Sequence, residues 1–108
     1  MAYNEYTAIR IRNQLKMFPE NFEERNMFGG LAFLYQGKMT IGIVKEELAV
    51  RVIAAKMATE LAKPHARPMD FTKRPMKEFV YVSTEGFKSE SELLHYIELG
   101  LEHAKTKL

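Results

Sequence analysis

Two adjacent glycines interrupt the apolar run between Met27 and Tyr35, and glycine pairs of this kind can form phosphate-binding loops. Such a loop follows a strand and opens a helix whose N-terminal amides face the anion. Here more strand-like sequence follows the glycines, without the Walker lysine and hydroxyl or the dinucleotide-binding spacing. Glycine in a strand instead marks a bulge, a bend or close packing. We therefore predict a structural motif that bends the sheet, made of Met27, Phe28, Gly29 and Gly30.

The three histidines could ligate a metal ion or act as bases, but their placement favours neither role. His95 and His103 are eight residues apart on one predicted helix. That spacing is about 12 Å along the axis, too far for both to bind one metal ion. His65 follows a proline and has no carboxylate directly beside it, since Asp70 is five residues away. We expect all three histidines on the surface and predict no metal site.

Nucleophilic and acid–base residues form no recognisable catalytic pattern. The chain has no cysteine, and its three serines lie near predicted strand and helix ends, where capping explains them. Asp70, between two apolar residues, is placed like the outward residue of an alternating strand. A salt bridge to Arg67 or Arg74 and general acid–base catalysis remain alternatives for it. We predict no catalytic residue and no cofactor, and we expect that the protein is not an enzyme.

Basic residues cluster between positions 63 and 77, interleaved with prolines and aromatic residues. Such a strip could bind phosphates while the aromatic rings stack on bases. The alternative is a solvated loop and strand edge, where lysines discourage edge-to-edge pairing. The whole chain carries a net charge of only +2, less than most nucleic-acid-binding proteins of this size need. The candidate nucleic-acid contacts are Arg67, Lys73, Arg74 and Lys77.

Size and composition predict one globular domain that comprises residues 1–108. The apolar share of 46% and the charged share of 28% are ordinary for a folded domain. The N-terminal residues lack the apolar region of a signal peptide, and no apolar run approaches the roughly 20 residues that cross a bilayer. The lack of cysteine is compatible with a reducing compartment. We expect a cytoplasmic protein that does not contact a membrane.

Hydrophobic periodicity predicts the elements that would position these residues. A first helix extends from Asn4 to about Phe18, and residues 25–52 form three strands with a two-residue turn at Gln36-Gly37. A short helix follows at 54–62, then an edge strand among prolines and a strand at 79–82. Ser89 and Glu92 form a capping box before a long terminal helix. The predicted order is α-β-β-β-α-β-β-α, an α+β sandwich with an antiparallel sheet of about five strands and three helices.

The predicted register places two apolar faces on this sheet. It pairs Leu31 with Gly42, Ala32 with Ile41 and Phe33 with Thr40, and helices would cover the face that contains Leu31 and Phe33. The opposite face is hardly polar and would need a second cover, either a helix or a partner chain. We predict a partner surface there, or on the exposed part of the second helix, and a homodimer is one form it could take. The candidate residues on the opposite face are Leu34, Met39 and Ile41.

Several stretches follow one another in the order MFGGLAF, GKM, LAVRV, ARPMDF and RPMKEFVYV, before the capped terminal helix. Together they resemble the N-terminal domain of the TfoX/Sxy family, the bacterial competence regulators, from about Met27 through Leu101. The resemblance implies an α+β domain of the type-III-secretion-chaperone-like kind and brings no catalytic residues. Complete regulators of that family couple this domain to a C-terminal helical domain. They assist activation of DNA-uptake genes together with the cyclic-AMP receptor protein.

The residues and the resemblance together predict a non-enzymatic regulatory or adaptor module. It would act by protein–protein contacts, as a coregulator related to transcription or competence, with a protein partner. The alternative is a nucleic-acid-binding accessory protein that uses the basic strip at 63–77, so nucleic acid would be contacted directly or through a transcription factor.

Overall fold

The computed structural model describes residues 3–27, 29–68 and 77–108. Within these residues, six strands form one antiparallel sheet in the order β1-β2-β3-β4-β6-β5, accompanied by three α-helices. The α+β class is therefore confirmed, with one strand more than predicted. In chain order the elements are α1 Glu5–Leu15, β1 Phe22–Met27, β2 Gly30–Tyr35, β3 Lys38–Val44, β4 Glu47–Arg51, α2 Ala54–Leu61, β5 Ala66–Pro68, β6 Phe79–Val82 and α3 Glu90–Thr106.

The additional strand is β1, which forms the edge of the sheet beside β2. Its central residues, from Glu23 to Asn26, are polar and all exposed, so its sequence lacks the alternation that marks a half-buried strand. Charged side chains are typical of an edge strand, because they discourage pairing with another chain.

Local capping sets the beginnings of the two long helices. The side chain of Asn4 accepts a hydrogen bond from the amide of Thr7 at 3.1 Å and so caps the N-terminus of α1. The predicted capping box is present at the start of α3. The Glu92 amide donates to Ser89 Oγ at 3.1 Å, and the Ser89 amide donates to Glu92 Oε1 at 3.0 Å.

The register between β2 and β3 follows the prediction only near the turn. Tyr35 pairs with Lys38 and Leu34 with Met39, but a bulge between Phe33 and Leu34 shifts every later pair by one residue. Beyond it, Phe33 pairs with Ile41 and Leu31 with Ile43, so the predicted pairs at these positions are wrong. The shift turns Ile41 and Ile43 toward the helices.

The main core lies between the sheet and helices α1 and α3. It contains Leu31 and Phe33 from β2, Ile41 and Ile43 from β3, and Leu48 and Val50 from β4, packed against residues of the helices such as Ile11, Tyr96 and Ile97. A smaller cluster on the opposite face consists of Ala49, Phe79 and Tyr81, with Met39 and Val44 beside it.

Candidate functional site

The paired glycines lie at the start of β2, Gly29 in the turn before it and Gly30 as its first residue. Gly29 has a φ of +73° in the turn that joins β1 to β2, and Gly30 pairs with Met27. A Cβ on Gly30 would collide with the backbone carbonyl of Ile43 on β3. The glycines therefore permit a tight turn and a close approach between strands. The sequence predicted a bend within one strand, whereas the structure has a turn between two strands. Phe28 lies outside the described residues.

The predicted partner surface on the sheet is not accessible. Ile41 is 0% exposed because the bulge places it in the core under the helices, and Leu34 is 2% exposed. Met39 is half-buried and packs against the cluster around Phe79 and Tyr81. The expectation that these three residues form a contact surface is therefore wrong for Leu34 and Ile41.

A different apolar surface lies on the outer side of α1. Tyr6, Ile9 and Met17 are 71%, 50% and 87% exposed. At 100° per residue they lie on one side of the helix and of the turn that continues it, opposite the buried Ala8 and Ile11. We call Tyr6, Ile9 and Met17 the α1 row.

The second predicted location, the outer side of α2, is exposed but consists of small or polar side chains. They are Ala54, Ala55, Lys56, Ala58 and Thr59. The helix is held to α3 by Glu60, a buried carboxylate that accepts from Lys63 Nζ at 2.9 Å and lies 3.1 Å from His95 Nε2. A second contact to α3 joins Lys56 to Glu102 at 2.9 Å.

The basic strip lies partly within the described residues, and its Arg67 already forms an ion pair. Arg67 on β5 forms a two-pronged ion pair with Glu47, and its guanidinium carbon lies 4.8 Å from the ring centroid of Tyr81. The hydrogen bonds from Arg67 lower the pKa of Glu47 below its ordinary value. Lys77 is exposed before β6, whereas Lys73, Arg74 and Asp70 lie outside the described residues. The nucleic-acid alternative stays a prediction.

Two of the histidines border a cleft of about 340 Å³ beside Tyr96. His65 Nε2 lies 2.9 Å from the Tyr96 hydroxyl, and the ring of His95 packs edge-on against the Tyr96 ring with centroids 5.1 Å apart. Burial raises the pKa of Tyr96 to about 12, so its hydroxyl stays protonated at neutral pH. This grouping was not predicted from the sequence, because His65 and Tyr96 are 31 residues apart along the chain.

The third histidine is not on the surface. His103 on α3 is 3% exposed, so the expectation of a surface histidine is wrong here. Its Nε2 lies 2.9 Å from Glu78 Oε1 and 2.9 Å from Arg51 Nη2. Burial lowers the pKa of His103, against the opposing effect of its hydrogen bond to Glu78. Burial also lowers the pKa of Arg51, which Glu78 opposes.

Neither a metal site nor a membrane span is found in the part of the chain that the structure describes. No cluster of three or more histidine, aspartate or glutamate side chains there has a metal-binding arrangement. No described helix combines the length and apolarity that crossing a bilayer requires.

The chain thus belongs to the class of small α+β domains in which helices cover one face of an antiparallel sheet. In this chain the outer side of the first helix and of the turn after it exposes three large apolar side chains. The family model of the TfoX N-terminal domain matches residues 13–104, which is most of the chain, so the protein belongs to that family. Comparison with curated proteins and with solved structures finds no match. Family membership supports a competence- or regulation-related domain.

Proposed function

We propose that this chain is a non-enzymatic regulatory module that acts by protein contacts, and that the α1 row is its contact surface. The observation that carries the proposal is the exposure of Tyr6, Ile9 and Met17 on one side of α1 and of the turn that continues it. Tyr6 and Ile9 are neighbours one turn apart, and the exposed Asn13 lies between Ile9 and Met17. Exposed apolar groups on one side of a helix are typical of protein-binding surfaces. Aromatic and methionine side chains are enriched in such interfaces. Membership of a family related to competence regulation supports a regulatory role.

The partner that fits this surface is a second copy of the chain, with its α1 antiparallel to the first. Glu5 and Lys16 flank the α1 row on the same side of the helix, near its opposite ends, and both are exposed. They are eleven residues apart, or about 16 Å along the axis. A two-fold axis between antiparallel helices brings Glu5 of each copy beside Lys16 of the other. The apolar residues then meet between two complementary charge pairs.

The size of the α1 row predicts a weak dimer. Stable interfaces bury at least about 1,200 Å² in total, more than one pair of short helices supplies. We therefore expect rapid exchange between monomer and dimer, which would let another protein compete for the same helix. Competition of this kind suits a regulatory module.

The test is sedimentation equilibrium of the full chain from micromolar to millimolar concentration. We expect self-association that Ile9→Asp abolishes, because a carboxylate would be buried in the contact. Ala58→Asp is the matched control, since it adds the same charge to an exposed position of α2. Circular dichroism of each variant checks that the fold is retained.

Charge reversal tests the arrangement itself. Glu5→Lys and Lys16→Glu should each weaken the dimer by placing like charges together, and the double variant should restore it. A chain that stays monomeric at millimolar concentration would contradict the proposal. A dimer that tolerates Ile9→Asp would show that another surface forms the contact.

A further inference from the structure

A second cleft, on a different part of the molecule from the α1 row, is rich in positive charge. It encloses about 340 Å³ between the β2–β3 turn, the end of β4 and the last turn of α3. Its volume is near the lower end of the range for small-molecule sites, enough for a small polar ligand. The lining residues are Gly37, Lys38, Met39, Arg51, His103 and Lys107.

The positive charges of this cleft are only partly compensated by described residues. Glu78 Oε1 lies 3.6 Å from Arg51 Nη2 and 3.6 Å from Lys107 Nζ, so one carboxylate is shared between two cations. Both distances exceed hydrogen-bond length. Lys38 lines the same cleft and forms no ion pair with any described residue. Three cations therefore face a single described carboxylate, a local excess of two positive charges.

Hydrogen bonding in the cleft is also incomplete. Nε2 of His103 is within 2.9 Å of both a donor, Arg51 Nη2, and an acceptor, Glu78 Oε1. An imidazole nitrogen either carries a hydrogen and donates it or accepts one, so it satisfies only one of these two neighbours. Arg51 Nε is buried and has no hydrogen-bond partner in the described part of the chain. Buried donors without acceptors are unfavourable.

We propose that this cleft binds a small oxyanion, a phosphate or carboxylate group, through Arg51, Lys38 and Lys107. An oxyanion beside the guanidinium supplies an acceptor for Arg51 Nη2 and leaves His103 Nε2 free to donate to Glu78. Planar guanidinium groups and lysine ammonium groups are the common protein ligands of both anions. The C-terminal end of α3 contributes partial negative charge here, which opposes anion binding. We therefore expect millimolar affinity for a free ion.

The experiment is a titration of the ¹⁵N-labelled chain with inorganic phosphate and, separately, with acetate. Ionic strength is held constant with sodium chloride, so that general screening does not change during the titration. We expect saturable shifts of the amides of Gly37, Lys38, Arg51 and Lys107. Tighter binding of phosphate would identify a phosphate group as the ligand, and tighter binding of acetate a carboxylate.

Two variants test the assigned residues without disturbing the core. Lys38→Ala and Lys107→Ala should each weaken binding about tenfold, as loss of one charge-assisted contact predicts. Lys88→Ala is the matched control, because Lys88 is an exposed lysine paired with Glu85, outside this cleft. Unchanged affinity in the double variant Lys38→Ala/Lys107→Ala would overturn the proposal. The proposal would also be overturned if neither phosphate nor acetate, at concentrations well above millimolar, produced saturable shifts of these amides.

Discussion

Gly100→Ala tests how α3 is seated on the sheet. A Cβ at position 100 would lie inside contact distance of the carbonyl oxygen and carbon of Thr40, and 3.0 Å from its Cα. These are backbone atoms of β3, which cannot rotate away as a side chain can. The helix would have to move outward, which separates Ile97 and Tyr96 from their neighbours in the main core.

Two effects of opposite sign decide the result. Alanine favours a helix interior over glycine by about 1 kcal/mol. Overpacking against a rigid neighbour destabilises by about 1–3 kcal/mol, and contact with backbone points to the upper end of that range. The expected net loss in the free energy of unfolding is therefore about 2 kcal/mol. For a domain of this size that loss corresponds to a decrease in Tm of roughly 10 °C.

Urea unfolding followed by circular dichroism measures this loss directly. Glu98→Ala is the control, because Glu98 is exposed on the same helix and its replacement should change stability by no more than about 0.5 kcal/mol. Gly100→Ala could instead prove as stable as the parent chain or more stable. The gain in helix propensity would then exceed the cost of the collision with the Thr40 backbone, and the close approach of α3 to Thr40 would be refuted.

Two further predictions concern buried polar groups. Burial lowers the pKa of His103 in the folded chain below its ordinary 6.5. Near and below that pH the unfolded chain therefore binds more protons than the folded chain does. The free energy of unfolding should consequently fall as the pH drops from about 7.5 to about 5.5. Urea midpoints at the two pH values measure this dependence; His103→Gln should reduce it, and an equal dependence in the variant would refute the assignment. Glu60→Ala removes the carboxylate that joins Lys63 and His95, and we expect a loss of about 1–2 kcal/mol with faster amide exchange in α2. Hydrogen exchange of the α2 amides measures this change, with Thr59→Ala as the exposed control in the same helix. Unchanged protection of α2 in Glu60→Ala would contradict the conclusion that Glu60 holds α2 to α3.

The elements whose signals are local were predictable from the sequence. The capping box at Ser89 and Glu92 needs only neighbouring residues, and the turn at Gln36-Gly37 joins β2 to β3 as predicted. The exposed strand β1 was missed, because solvated polar residues at a sheet edge show no periodicity.

The faces of the sheet were predictable only in part. The assignment was right for β2, where Leu31 and Phe33 lie under the helices. It was wrong for β3, because the bulge between Phe33 and Leu34 shifts the register of β3 against β2 by one residue and so exchanges the two faces of β3. Ile41 was therefore expected on an open surface and lies in the core.

The sequence by itself determined the α+β class, the two capped helices and the lack of cysteine chemistry, because each follows from composition or from contacts within a few residues. Tertiary structure decided which apolar groups remain exposed and which polar groups meet. Arg51, Glu78 and His103 are separated by 27 and 25 residues along the chain, yet they converge on one imidazole nitrogen. Convergence of this kind depends on strand pairing and helix docking, which no local pattern encodes.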